Sequence, residues 1–185
     1  MTNISYVDNI LSVLDMASPD IVADGISWYP RAHRFALSFG DDIVRASAII
    51  AVLSPNTSWT ANMTFAKKAY ANGNGVGMGF PDKVQKVNRL FLGENPFDVV
   101  SGPKVTAFFN RILNPECDVT VPVIDRHAQD IADGAKAFSR KAPKGKSYDE
   151  YADAYIVAAK LAGFTSHALQ AITWTQWREM HNINV

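Results

Sequence analysis

A chain of 185 residues is long enough to bury a real core and fits one domain, or one domain with an appendage. Apolar residues make up 48% and charged residues 19%, a globular composition that excludes wholesale disorder. The 18 lysines and arginines cancel the 18 aspartates and glutamates, so nucleic-acid binding would rest on a local basic patch and not on global charge.

The single cysteine, Cys117, excludes an intramolecular disulfide and any four-cysteine zinc or iron–sulfur site. It reads as a half-buried loop thiol. The opening Met-Thr-Asn-Ile-Ser-Tyr has neither the basic nor the apolar region of a signal peptide. No later apolar run approaches membrane-spanning length, so a soluble cytoplasmic protein without a membrane partner is the expectation.

In chain order the patterns read as helices. Ile10, Leu11, Val13 and Leu14 mark a first helix over 4–16. Ser18 suits the cap of a second, with Pro19 at its first position, and that helix extends over 21–39. Trp28-Tyr29-Pro30 falls inside it, where the proline is expected to kink or split it. Asp41 and Asp42 suit the next N-terminus. The segment 43–53 is apolar on nearly every face and is therefore expected at the centre of the fold. Ser54-Pro55-Asn56-Thr57 breaks the chain and recaps a helix over 58–71.

The stretch 72–81, "NGNGVGMGFP", reads as an exposed loop. Its alternate glycines lack the Gly-x-x-x-x-Gly-Lys-Ser/Thr of a phosphate-binding loop. Gly145-Lys146-Ser147 lacks it too, because Arg140 stands where the upstream glycine belongs. Further helices are expected over 82–91, 96–100, 104–113 and 125–133. A basic loop, "KAFSRKAPKGK", then leads to long helices over 148–162 and 166–181. Only 119–124 has strand-like composition, and a lone strand has no partner. The expected class is all-α: roughly ten helices in a single domain over 1–185, with no internal repeat.

Few residues offer chemistry. His33, His127, His167 and His181 share no ligand spacing, so neither a metal nor another cofactor is expected. No Gly-x-Ser-x-Gly supports a serine hydrolase. Lys104 and Asp125 stand at the starts of two successive helices. A lysine there lies against the helix macrodipole, so helix stability alone does not explain it, and the same positive end disfavours a protonated amine. An aspartate there is explained equally well as an N-cap. Gln170, Trp174, Trp177 and His181 recur at spacings that share one helix face, as core anchors or as the wall of a base pocket. Lys136, Arg140, Lys141, Lys144 and Lys146 form either a phosphate-binding patch or a solvated loop.

Three blocks in order carry a family resemblance: "IIAVLSPNTSWTANMTFAKKAY" from Ile49, "GPKVTAFF" from Gly102, and "VPVIDRHAQDIA" from Val121. Over 48–134 the chain resembles the helix-hairpin-helix DNA glycosylases, the superfamily of endonuclease III and 8-oxoguanine glycosylase. The resemblance implies a helix-hairpin-helix glycosylase-like fold, with a basic loop over 135–147 and C-terminal helices over 148–182 appended. It makes Lys104 the Schiff-base nucleophile of the bifunctional members and Asp125 the catalytic carboxylate. Asn56 falls near the residue that fills the gap left by a flipped base, and Gly102, Arg126 and His127 fall on the DNA or substrate side. "VVSGPK" lacks the family's Pro-Gly-x-Gly, which implies a shorter hairpin, and Val-Ile-Asp displaces Asp125 by one position. "WYPRAH", "LSPNTSW" and "LQAITWTQWR" are also similar to uncharacterised proteins encoded by phages of actinobacteria, which would place the protein in a host cytoplasm.

The resemblance implies an enzyme that flips a nucleotide from duplex DNA and cleaves its N-glycosidic bond, with or without a lysine-dependent lyase step. Two other readings stay open. One is a phage transferase that hypermodifies a base on a glycosylase-like fold; the other is a catalytically silent DNA- or protein-binding module.

Overall fold

The computed structural model describes residues 3–40, 42–117, 121–137 and 141–183. Among the described residues ten helices follow one another: α1 (Ile4–Asp15), α2 (Pro19–Leu37), α3 (Ile43–Leu53), α4 (Trp59–Asn72), α5 (Pro81–Phe91), α6 (Pro96–Val99), α7 (Pro103–Leu113), α8 (Arg126–Asp133), α9 (Lys146–Ala162) and α10 (Ser166–Met180). Among the described residues there is no β-strand, and the chain is all-α. Of the strand-like segment 119–124, residues 121–124 form no strand and no ladder, and 119–120 lie outside the described residues.

The helix starts are chemically legible. Asp42 caps α3, its carboxylate accepting from the Arg45 amide at 2.9 Å and pairing with the Arg45 guanidinium at 2.6 Å. Ser58 caps α4 through the Ala61 amide, and Thr165 caps α10 through the Ala168 amide. Each cap satisfies an amide that the helix itself leaves open.

The contacts divide the chain into two compact units, Met1–Pro30 with Glu116–Asn184, and Arg31–Pro115. The division falls inside α2, at Pro30. Of the expected kink or split, the split does not occur: α2 continues through the proline as one helix. A mid-helix proline removes the bond to the carbonyl four residues back. Packing offsets that loss, since Tyr29 is buried on one side of it and Ala32 and Ala36 on the other.

In the unit formed by residues 31–115, α3 is central and packs against α4, α5, α6 and α7. Every residue from Ala46 to Leu53 is buried, as the apolar run from Ala48 to Leu53 requires, and Ser47 is carried in with it. The loop after α4 departs from the expectation of full exposure. Met78 is buried and Gly75 lies so close to Val84 that a Cβ there would sit 2.8 Å from its carbonyl oxygen. A single long apolar side chain inside a glycine-rich stretch is enough to plug the loop into the core.

In the other unit, α1 packs against α8, α9 and α10, and its Val7, Ile10 and Val13 meet Ile131, Tyr155, Leu169 and Trp177 in one apolar cluster. Asn9 fastens α1 to the end of α8 by donating to the Ala132 carbonyl at 2.8 Å. The start of α2 joins this unit at Gly25, where any Cβ would meet the Ile172 backbone at 2.5 Å. Only glycine permits so close a helix crossing.

Candidate functional site

Asp125 is held from three directions. Pro122, Val123 and Ile124 are buried, and the Tyr148 hydroxyl fastens their backbone: it accepts from the Ile124 amide at 3.1 Å and donates to the Pro122 carbonyl at 2.9 Å. Burial pushes the Tyr148 hydroxyl up to about 12, so it remains a donor at neutral pH. The extended segment thus delivers Asp125 to the N-terminus of α8, where one carboxylate oxygen accepts from the His127 and Ala128 amides, both at 2.9 Å. The other accepts from the Trp174 indole at 3.2 Å.

Trp174 is itself braced. The Arg178 guanidinium lies 4.4 Å above its ring, and Trp28 meets it edge-on at 6.1 Å. Burial opposes the Arg178 charge, and the carboxylates of Asp24 and Asp125 favour it. His127 is half-buried with a ring nitrogen, Nδ1, that has no hydrogen-bond partner. Burial lowers its pKa from the ordinary 6.5, against the opposing pull of Asp125, so the ring is neutral at pH 7. Arg126 is exposed beside it. The result is a partly accessible carboxylate with fixed donors, a neutral imidazole two residues on, and an indole–guanidinium stack at its side.

The expected face of α10 divides. Gln170 is buried and accepts from the Tyr29 hydroxyl at 2.7 Å, and Trp174 faces Asp125. Trp177 instead belongs to the apolar cluster with α1 and α8, and His181 packs on its ring at 4.2 Å. Sharing a helix face fixes the direction in which a residue starts but not where a large ring ends. Trp174 therefore lines the carboxylate, while Trp177 anchors the core.

In the unit formed by residues 31–115, Gly102 opens α7 with φ +87°, a conformation that L side chains rarely adopt, and no side chain caps the helix start. Lys104 follows at its second position, half-buried. Ser101, just before the turn, accepts from the Lys86 ammonium at 2.8 Å. Asn56 is exposed at the tip of the turn between α3 and α4, in a left-handed conformation with φ +54°. Lys104 and Asp125 belong to different units.

Lys136, Lys141, Lys144 and Lys146 are exposed, and Arg140 lies outside the described residues. Cys117 is half-buried and reduced, as expected for a lone thiol. Among the described residues no group of three histidine, cysteine, aspartate or glutamate side chains comes together as metal ligands. Among them, too, no helix is long and apolar enough to cross a membrane.

Three features were missed by sequence reasoning. Tyr148 gives no local signal, because its partners are backbone groups of another segment. Arg178 reads as an ordinary last-turn cation of α10. Lys83 carries no sequence signal beyond its place in the first turn of α5, and it is buried.

Fold and site together define an all-helical protein of two compact units with a capped, indole-braced aspartate in one and a glycine-opened helix carrying Lys104 in the other. The chain belongs to a family of unknown function, DUF7178, whose profile matches residues 1–181. No curated protein and no solved structure matches it.

Proposed function

We propose that the protein acts on DNA as a glycosylase-like enzyme, excising a flipped base with Asp125 as the carboxylate that stabilises the departing sugar. The observation that carries this reading is the hydrogen bonding of Asp125. Two backbone amides and one indole hold the carboxylate in place, and it remains part-exposed. Breaking a glycosidic bond to a base builds oxocarbenium character on the sugar, and a preorganised negative charge favours that state without reorganising during the reaction.

The lyase form of the reading adds Lys104. Its amine would attack C1′ of the sugar as the base departs with the bonding electrons and takes up a proton. Loss of the amine proton and opening of the C1′–O4′ bond then leave an imine. The blocks quoted above support this assignment by resemblance, and the uncapped start of α7 beside Gly102 supports a role near phosphate. The reading assigns phosphate or base contact to exposed Asn56 in the unit formed by residues 31–115, and to exposed Lys136, Lys141, Lys144 and Lys146 in the other.

The test is incubation with a panel of damaged and modified duplexes, with borohydride present to reduce any imine to a stable amine. A trapped adduct that Lys104→Ala abolishes is the expected result for the lyase form. Base release that Asp125→Asn suppresses, with duplex affinity retained, is expected for either form. Binding without release from any duplex would reject excision and leave a base-modifying or binding role on the same fold.

A further inference from the structure

Lys83 is 4% exposed, and its ammonium has three protons to place. One goes to the last carbonyl of α3, Leu53, at 3.0 Å, and two go to the turn that follows: to the Thr57 hydroxyl at 2.7 Å and to the Pro55 carbonyl. A buried ammonium persists only where such partners replace water, and an apolar residue of similar length would pack there without that cost. Packing therefore does not account for a lysine at this position. Burial lowers its pKa first, and the charge of Lys104 adds to that while Asp82 opposes it.

The turn it grips is unusual. Asn56 stands at its apex with φ +54°, exposed, while Pro55 and Thr57 on either side are both tied to the one ammonium. Thr57 closes the turn, its amide donating to the Ser54 carbonyl and its hydroxyl to the Pro55 carbonyl, both at 3.2 Å. Asparagine enters the left-handed region more readily than other side chains, so the residue type permits this apex and the ties around it hold it there. Here those ties are the bonds Thr57 makes within the turn and the grip of Lys83 on Pro55 and Thr57.

We propose that Lys83 is a positioning residue for Asn56, gripping both sides of the turn so that the Asn56 side chain is presented to a nucleic-acid duplex already in its projecting conformation. The duplex as partner rests on the DNA reading; the grip on the turn does not.

Lys83→Met, Lys83→Arg, Asn56→Ala and the double variant Lys83→Met/Asn56→Ala decide it. Amide exchange at Thr57, read by NMR, should accelerate at least tenfold in Lys83→Met and stay near wild type in Lys83→Arg. On a duplex carrying 2-aminopurine, base-unstacking fluorescence should fall equally in Lys83→Met and Asn56→Ala, with no further loss in the double variant. Val87→Ala, which destabilises α5 without touching the turn, should leave that fluorescence unchanged. Should Lys83→Met fail to fold, Lys83→Gln, which keeps a donor but shortens the side chain, should show an intermediate exchange rate at Thr57. Unchanged Thr57 exchange, additive losses in the double variant, or an equal loss in Val87→Ala would overturn the proposal. A wild-type protein that unstacks no base would instead reject the DNA reading, with the exchange rates still deciding what Lys83 does.

Discussion

Asp125 caps α8, and the catalytic role proposed for it separates from the cap by substitution. Its carboxylate caps α8 and also stands accessible beside Trp174. Asp125→Ala removes the cap and should cost about 0.5–2 kcal/mol of stability, read as a lowered melting temperature. Asp125→Asn keeps an acceptor for the His127 and Ala128 amides, so its melting temperature should stay near wild type while base release falls. A loss of both together in Asp125→Asn would return the residue to a structural role. His127 gives a pH signature at the same scale. Its folded-state pKa lies below the ordinary 6.5, so the unfolded chain binds more protons as pH falls through that value. Its effect is therefore a loss of stability on acidification from about pH 7 toward pH 5. Thermal melts across that range should show the loss, and His127→Gln should flatten it.

Elements are set by single contacts that a variant can remove. The Tyr148 hydroxyl is the partner of both the Ile124 amide and the Pro122 carbonyl, in a segment with no strand neighbour. Tyr148→Phe leaves those buried groups unpaired and should cost about 1–3 kcal/mol, measured by denaturant unfolding. If Asp125 depends on that segment for its placement, base release should fall more than stability alone explains. The crossing at Gly25 is equally specific. Gly25→Ala places a carbon 2.5 Å from the Ile172 backbone, and neither helix gives way cheaply. Overpacking of that kind costs about 1–3 kcal/mol or more, and the melting temperature of this single variant should report it.

Over the whole molecule the net charge is zero, so affinity for a duplex must come from local groups. Reversing charge at Arg140, Lys141 and Lys144 together should weaken binding to unrelated sequences about equally, because phosphate contacts carry no sequence information. Wild-type affinity should fall steeply with added salt as counterions are no longer released to advantage. Binding measured at several salt concentrations checks both, and an unchanged salt slope in the triple variant would make the loop plain solvated surface.

The sequence by itself determined the helices and the all-α class. Their caps and breakers act over three or four residues: Asp42, Ser58 and Thr165 at starts, the Ser54–Thr57 break, and the apolar run that makes α3 central. Asp125 as the cap of α8 was legible for the same reason. Tertiary structure alone decided what distant segments do to one another. It divided the chain inside α2, drew α1 against α8, α9 and α10, and plugged Met78 into the core. It also sent Trp174 to Asp125 and Trp177 to the apolar cluster, and made Lys83 the anchor of the Asn56 turn. Local patterns record which face of a helix is apolar. They do not record which backbone carbonyl, many residues away, a buried side chain will meet.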